Sequence, residues 1–430
     1  MAMDAATEPT ELVPRGRHLL PLATMVVLAV GCMACALITR NCQPGPPLLT
    51  QQPVTRSGVP IVRVLLTREP VSVATISAGR WYLLVLDGRR ISSSSRAMAK
   101  TELRLGRSGW IVKGREIGAG ALVLSTKENS CVRYDKTSYR GQLHFIPTGD
   151  GTFNIVNYVD MESYLAGVLA KELYPSWLPA TFGAQAIAAR SFALYHRNTF
   201  GRTHDYDVGD DQSSQVYGGI DGETDKSWNA VRATHGQILT VGTPGSEQSF
   251  MTQFSSTCGG IVNGARVIRD ASDIEPLRGG QVCRYCINSP QYRWEPATVT
   301  KTELYRALVG TYEEARKLGG VRTVRVKSQT SYGRMVWVEI IGTNGKPMTI
   351  RGEDLRLALL RKGAKMHNTL YSMNCRIRDI GDSLEFYDGR GFGHGVGMCQ
   401  WGAQGLAEEG ASSEQILQFY YPGSRATRVY

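Results

Sequence analysis

Short runs of apolar or alternating residues dominate the chain between residues 60 and 156. Four such runs are IVRVLL, WYLLVLD, GWIV and LHFIP, and Gly, Ser and Asp residues bound them. Runs of this length and composition are typical of β-strands. No segment of useful length in this part has the 3.6-residue periodicity of a helix. The pattern therefore predicts a β-rich module over residues 59–156.

Helical periodicity begins at Asp160, whose side chain suits the N-cap position. Apolar residues then recur at spacings of three and four as far as Leu169. Pro175 and Pro179 interrupt the chain, and a proline suits the first turn of a second helix, predicted over residues 180–197. Small residues along this second helix favour close packing, so we expect the two helices to form a hairpin.

The remainder of the chain mixes loops, strands and helices. Residues 201–220 are polar and rich in Gly and Asp, which indicates a loop. A glycine-rich loop that runs into a helix, GRGFGHGVGMCQWGAQGLAEEG, starts at Gly389. Further segments have helical or strand periodicity: helices are predicted over 302–309, 352–361 and 412–420, and strands over 321–326 and 333–341. The predicted fold class is α+β.

The N-terminal region has a different pattern, because residues 19–38 form an uncharged, largely apolar run of twenty residues. As a helix this run spans about 30 Å, the thickness of a bilayer core. Arg15 and Arg17 precede it, which favours a cytoplasmic N-terminus. We therefore expect residues 1–42 to be a tail and single-pass anchor in the bacterial inner membrane, with the body outside. A cleaved signal peptide is the alternative. Residues 43–58 are predicted to be a linker.

Composition places the body among ordinary globular proteins. The 430 residues are 42% hydrophobic and 20% charged, which excludes a disordered chain, and the length suggests two or three domains. The 49 Lys and Arg residues exceed the 38 Asp and Glu residues, giving a net charge of +11. Such an excess suits polyanions but often only keeps a surface soluble, and we expect no nucleic-acid partner.

Six of the nine cysteines lie beyond the N-terminal region. They are Cys131, Cys258, Cys283, Cys286, Cys375 and Cys399. An exported body permits disulfides. The Cys-x-x-Cys spacing of residues 283–286 is also that of half a zinc site. Spacing alone does not choose between the two.

Five motifs in a fixed order carry a resemblance to a known family. They are YLAGVLAKE, AQAIAARSFAL, QVYGG, STCGG and GRGFGHGVGMCQWGAQG, and the upstream YRG and VNYVDMESYL also match. On these motifs the chain resembles the SpoIID/LytB domain family over residues 60–425. The resemblance implies a bacterial peptidoglycan protein. The sporulation member of the family is a lytic transglycosylase that cuts glycan strands, whereas the LytB-type member enhances a separate amidase.

The resemblance implies that Glu172 is the catalytic acid and base, since it matches the family's catalytic glutamate. A lytic transglycosylase needs one carboxyl group to protonate the glycosidic oxygen and then to accept a proton. The neighbouring Leu173, Tyr174 and Trp177 are expected to form an apolar wall that raises its pKa. Without the resemblance, a glutamate beside Lys171 at a helix end is more often a solvated surface residue.

The same motifs supply candidate substrate-binding residues. These are Gln185, Arg190, Gln215, Tyr217, His394 and Gln400. Amide and phenol groups suit sugar recognition through hydrogen bonds and stacking. For the two in the AQAIAARSFAL motif a structural role, tying the helices together, is favoured. The histidine binds sugar hydroxyls or orients the glutamate, or else it holds a tight loop together.

The cysteines in the STCGG and GMCQW motifs, Cys258 and Cys399, should converge on one groove. Together with Cys283 and Cys286 they match the ligand count of a closed, structural zinc site. Disulfides remain the alternative for these four residues.

The predicted organisation is a body over residues 59–430 in which a helical hairpin and a glycine-rich loop form one groove. Its core comprises residues 157–290 and 381–430, with an inserted α/β part at 291–380. The predicted function is cleavage of peptidoglycan glycan strands to 1,6-anhydromuramic ends. The alternative is a non-catalytic, glycan-binding enhancer of a cell-wall amidase. The expected partners are therefore glycan strands, the membrane and, in the alternative, an amidase.

Overall fold

The computed structural model describes residues 53–127, 130–212, 214–268 and 273–430. The predicted anchor at residues 19–38 lies outside them. Among the described residues, no helix is both long enough and apolar enough to cross a membrane. The architecture is a mixed α+β fold, as the hydrophobic pattern predicts.

The structure has many short strands in the part of the chain predicted to be β-rich, and some of them, such as Ile61–Leu65 and Val73–Ala78, alternate buried with more exposed residues. The strands are β1 (Ile61–Leu65), β2 (Val73–Ala78), β3 (Tyr82–Leu86), β4 (Arg89–Ser94), β5 (Met98–Gly106), β6 (Gly109–Val112), β7 (Arg115–Gly118), β8 (Leu122–Thr126), β9 (Val132–Tyr134), β10 (Thr137–Tyr139), β11 (Gln142–Gly149) and β12 (Thr152–Asp160). A later strand, β13 (Val208–Gly209), pairs with β1 in parallel. One sheet has the order β13-β1-β12-β11-β8-β3-β4 and another β10-β9-β2-β5-β6-β7. Their facing sides share one core, in which Trp110 packs edge-on against Phe153 at 4.9 Å between ring centroids.

Helices begin where the caps predict. They are α1 (Met161–Glu172), α2 (Pro179–Asn198), α3 (Asp225–Ala233), α4 (Lys301–Val309), α5 (Gly352–Arg361), α6 (Gln400–Glu408) and α7 (Ser413–Tyr420). Asp160 accepts a hydrogen bond from the Ser163 N–H at 2.9 Å, and α7 starts with the capping box of Ser412 and Gln415. Helix α3, whose N-cap is Thr224, is not predicted by the sequence pattern.

Short 3₁₀ segments join these elements. They are Phe200–Arg202, Gly219–Gly222, Ala265–Val267, Glu275–Leu277, Arg284–Cys286 and Glu313–Leu318. The later strands are β14 (Gln237–Val241), β15 (Gln248–Ser249), β16 (Phe254–Ser255), β17 (Arg293–Trp294), β18 (Ala297–Thr300), β19 (Val321–Gln329), β20 (Met335–Gly342), β21 (Pro347–Arg351), β22 (Met366–His367), β23 (Arg376–Asp379), β24 (Ser383–Tyr387), β25 (Gly389–Arg390), β26 (Met398–Cys399) and β27 (Arg425–Arg428).

Two features of the chain after β13 position the candidate active site described below. Strands β18–β24, with α4 and α5, enclose their own buried cluster, which extends from Ala297 to Phe386. Strand β16 pairs in parallel with β26, so that Phe254 lies opposite Met398 and Ser255 opposite Cys399. This pairing brings the STCGG motif alongside the glycine-rich loop.

Candidate active site

Glu172 is the last residue of α1 and lies where three segments of the chain meet. The helix ends there because Leu173 adopts an extended conformation, while its N–H still closes the last turn on the Leu169 carbonyl at 3.0 Å. Pro175 then turns the chain towards α2. Glu172 as a whole residue is partly exposed.

Both carboxylate oxygens of Glu172 accept hydrogen bonds from distant segments. The Val216 N–H donates to Oε1 at 3.1 Å, and Nε2 of Gln400 donates to Oε2 at 3.1 Å. Gln400 is the first residue of α6 and is buried. One turn later, Gln404 accepts a hydrogen bond from the Leu178 N–H at 2.9 Å, which fixes α6 against the start of α2. The glutamate is therefore held in a defined position.

Burial raises the pKa of the Glu172 carboxyl above its ordinary value of 4.5. The hydrogen bonds from Val216 and Gln400 oppose this effect, since they stabilise the charged form, but burial outweighs them. A carboxyl group with a raised pKa keeps its proton at a pH where a solvated glutamate has lost it. This is the property that a general acid requires.

Three aromatic side chains form a cluster beside the glutamate. The rings of Tyr174, Trp177 and Trp401 have centroids 5.2–5.6 Å apart. Trp177 is buried, whereas Tyr174 is 51% exposed. The cluster thus has a buried base and an open aromatic surface, which suits contact with the apolar face of a sugar ring.

The QVYGG motif contributes to the site through its backbone. Gln215 is fully buried, and its Oε1 accepts a hydrogen bond from the Tyr164 hydroxyl at 2.9 Å. Tyr217 is also buried, and its hydroxyl donates to Oδ1 of Asn157 at 3.0 Å. Between them, Val216 directs its N–H at Glu172. The two predicted substrate-binding side chains face inwards, and their contacts are those of structural residues.

The AQAIAARSFAL motif ties α2 to α1. Arg190 is fully buried and donates to both carboxylate oxygens of Glu162, at 3.0 and 2.7 Å. Gln185 is also fully buried, and within the described residues its amide group has no hydrogen-bond partner. Neither side chain is open to a substrate. The contacts of Arg190 support the structural alternative for that residue, whereas Gln185 makes no hydrogen bond that would tie the helices together.

His394 belongs to the glycine-rich loop and is partly exposed. Its Nδ1 accepts a hydrogen bond from the Val396 N–H at 3.0 Å, which closes the loop locally. Burial of the ring lowers the pKa of His394 to about 4, so the imidazole is neutral at neutral pH. In the described part of the chain it makes no hydrogen bond with Glu172. The local contact supports the loop-holding role, while the predicted contact with sugar hydroxyls stays a prediction.

The four cysteines predicted to converge lie together in the structure. The sulfur atoms of Cys258, Cys283, Cys286 and Cys399 are all within 4.8 Å of one another, and the four residues are buried. None of them forms a disulfide with another described residue. These are the residues of the described chain that could hold a metal ion.

Comparison with known proteins adds to this geometry. A family model described as SpoIID, Stage II sporulation protein, matches residues 149–241. Stage II sporulation protein D of Bacillus subtilis is 30% identical over 289 residues, which cover 64% of this chain and 76% of that protein. The chain belongs to the SpoIID family. An uncharacterized protein of Brachyspira hyodysenteriae is 28% identical over 368 residues, covering 84% of this chain and 92% of that protein.

A further relative is named for a different function. The protein named Amidase enhancer in Bacillus subtilis is 25% identical over 305 residues, covering 61% of this chain and 40% of that protein. Family membership therefore leaves both an enzyme and a non-catalytic partner open.

Two contributors to this SpoIID-family site are not predicted by the sequence. Trp401 extends the aromatic cluster, and its place beside Gln400 in the GMCQWGAQG motif was the available signal. No feature of the sequence indicates the Val216 N–H, because the types of side chain do not show which backbone groups face a carboxylate.

Proposed function

We propose that this SpoIID-family protein is a lytic transglycosylase that cleaves the glycan strands of bacterial peptidoglycan. The observation that carries the proposal is the state of Glu172: its carboxyl is held by Val216 and Gln400, and burial raises its pKa. The family relationship to Stage II sporulation protein D supports a role at the cell wall.

Glu172 performs both proton transfers in the proposed reaction. The protonated carboxyl gives its proton to the glycosidic oxygen as the bond from that oxygen to C1 of the muramic residue breaks. The resulting carboxylate then accepts the proton of the muramic 6-hydroxyl as its oxygen bonds to C1. The second transfer restores the protonated carboxyl, so the cycle balances without a water molecule.

The aromatic cluster provides the proposed sugar-binding surface. Tyr174 is half exposed and lies two residues after Glu172, so a sugar ring stacked on it would lie near the carboxyl group. Trp177 and Trp401 pack against the tyrosine ring, with centroids 5.2 and 5.6 Å from it.

The proposal includes a location. The apolar run at residues 19–38 would anchor the protein in the inner membrane, and the body would meet peptidoglycan on the outer side.

Mass spectrometry of purified glycan strands, incubated with the full-length protein in mild detergent, tests the proposal. The expected products carry 1,6-anhydromuramic ends and are absent with the Glu172→Gln variant. Products with reducing ends, or equal yields from both proteins, would exclude the mechanism.

The alternative is a glycan-binding protein that enhances a cell-wall amidase, and the relationship to the Bacillus subtilis Amidase enhancer favours it. In that case the wild-type protein binds glycan strands but releases no fragments. Addition of a cell-wall amidase would then show faster removal of stem peptides in the presence of this protein, and the Glu172→Gln variant would enhance it equally.

A further inference from the structure

The second chemical feature of the molecule is the cysteine cluster, which we define as Cys258, Cys283, Cys286 and Cys399. Its members come from three segments: the loop after β16, the 3₁₀ segment at 284–286 with its N-cap Cys283, and the residue that caps α6. Among the described residues, this group has the donor atoms and the proximity that a metal ion requires. We propose that the cysteine cluster holds one structural Zn²⁺ ion.

The spacing of the sulfur atoms fits tetrahedral coordination. Zn–S bonds of about 2.3 Å in a tetrahedron place neighbouring sulfur atoms about 3.8 Å apart. The Sγ atoms of Cys258 and Cys286 are 3.7 Å apart, and all four sulfurs lie within 4.8 Å of one another. Four protein ligands leave no open position on the ion, so the site is structural and takes no part in bond cleavage.

The surroundings of the cysteine cluster suit thiolates. The N–H groups of Cys258 and Gly402 point at Cys399 Sγ, at 3.2 and 3.3 Å, and the Tyr420 hydroxyl lies 3.1 Å from Cys283 Sγ. Such donors stabilise the negative charge that a zinc–tetrathiolate centre carries. A compensating positive charge comes from Arg334, a fully buried guanidinium that interacts electrostatically with Cys258.

Gly402 shows how little space surrounds the sulfurs. A Cβ atom at this position would lie 2.0 Å from the Tyr420 hydroxyl oxygen and 2.6 Å from Cys283 Sγ. Only glycine allows the first turn of α6 to approach the cysteine cluster this closely.

The metal would also hold the candidate active site in place. Cys399 directly precedes Gln400, whose amide contacts Glu172. The adjoining Trp401 N–H donates to the Ser256 carbonyl at 3.0 Å, in the loop that carries Cys258. Zinc would therefore fix the start of α6 against that loop, and Gln400 is then a positioning residue for Glu172. This part of the inference rests on the proposed function, whereas metal binding does not.

Metal analysis of the full-length protein, purified in mild detergent without chelator or added reductant, tests the site. We expect about one zinc per chain. The Cys283→Ser and Cys286→Ser variants should lose it. Cys375→Ser is the matched control, because Cys375 is also buried but lies outside the cluster; it should keep its zinc.

If the cysteine variants fail to fold, measurements on the wild-type protein still test the site. Protein produced with Co²⁺ should show thiolate-to-cobalt charge-transfer absorption and the d–d bands of a tetrahedral site. The four thiols of the cluster should resist alkylation until a chelator is added. Metal-free protein in which these four cysteines form disulfides, or zinc retained in folded Cys283→Ser and Cys286→Ser variants, would overturn the site.

Activity measurements test the positioning role of zinc separately from zinc binding itself. Chelation should lower kcat and displace the pH profile, and added zinc should restore both, because Gln400 regains its contact with Glu172. A zinc-containing protein without any lytic activity would contradict the proposed function and leave the metal site standing. Full activity and an unchanged pH profile after complete metal removal would refute the positioning role.

Discussion

Replacing Glu172 with glutamine should lower activity and raise stability at neutral pH. The glutamine has the same shape but no proton to give, so the lytic rate should fall by roughly 10²–10⁴-fold. This loss corresponds to a barrier higher by about 2.7–5.5 kcal/mol.

The structure accommodates the new amide. Its oxygen can accept the hydrogen bond from the Val216 N–H, and its NH₂ group can donate to Gln400 once the amide of that residue turns over. No donor need face another donor. The Glu172→Gln variant should therefore fold normally.

The gain in stability follows from the raised pKa. Above the folded-state pKa both states carry the Glu172 charge, and burial makes that charge costly in the folded state. Below 4.5, the ordinary value, the group is protonated in both states and the cost disappears. The glutamine variant should thus be more stable than the wild type at neutral pH, and the difference should vanish in acid. Each ten-fold weakening of the acid corresponds to about 1.4 kcal/mol.

Urea unfolding across a pH series measures this difference, alongside product analysis at each pH. Glu116→Gln, an exposed substitution in β7, should change neither stability nor activity. Glu162→Gln should lower the stability instead of raising it, because it leaves Arg190 buried without its charged partner, at a cost of roughly 3–5 kcal/mol. A Glu172→Gln variant that is less stable than the wild type at neutral pH, yet fully active, would refute the reasoning.

Three further changes have defined outcomes. Gly167→Ala places a Cβ 2.7 Å from the Tyr217 ring. Movement of Tyr217 would displace the neighbouring Val216 N–H from Glu172, so lysis should slow. The overpacking should also lower the free energy of unfolding, measured in urea, by about 1–3 kcal/mol. Gly402→Ala should lower the zinc content and the melting temperature together, and normal zinc would argue against the tight packing around the cysteine cluster. Alkaline phosphatase fused after Arg56 should be active only when exported, whereas activity of a cytoplasm-dependent reporter alone would reverse the proposed topology.

Patterns among neighbouring residues predict most of the secondary structure. The helix start at Asp160 and the capping box at Ser412 depend on contacts three residues apart, and the strands of the β-rich module depend on period-two burial. Both depend on residues that are close together in the sequence, so the sequence predicts them. The helix α3 was missed because its apolar stripe is short, although Thr224 caps it.

The sequence by itself indicated most of the elements, the family motifs and the candidate acidic group, Glu172. Only the tertiary structure decided how they act together. Glu172 meets Val216 across 44 positions of the chain and Gln400 across 228, and the burial that raises its pKa comes from the packing of these distant segments. Likewise, the packing around α1 turned Gln215 and Tyr217 inwards and left a backbone N–H to face the carboxylate. Such orientations depend on long-range packing, which no periodicity or spacing in the sequence records.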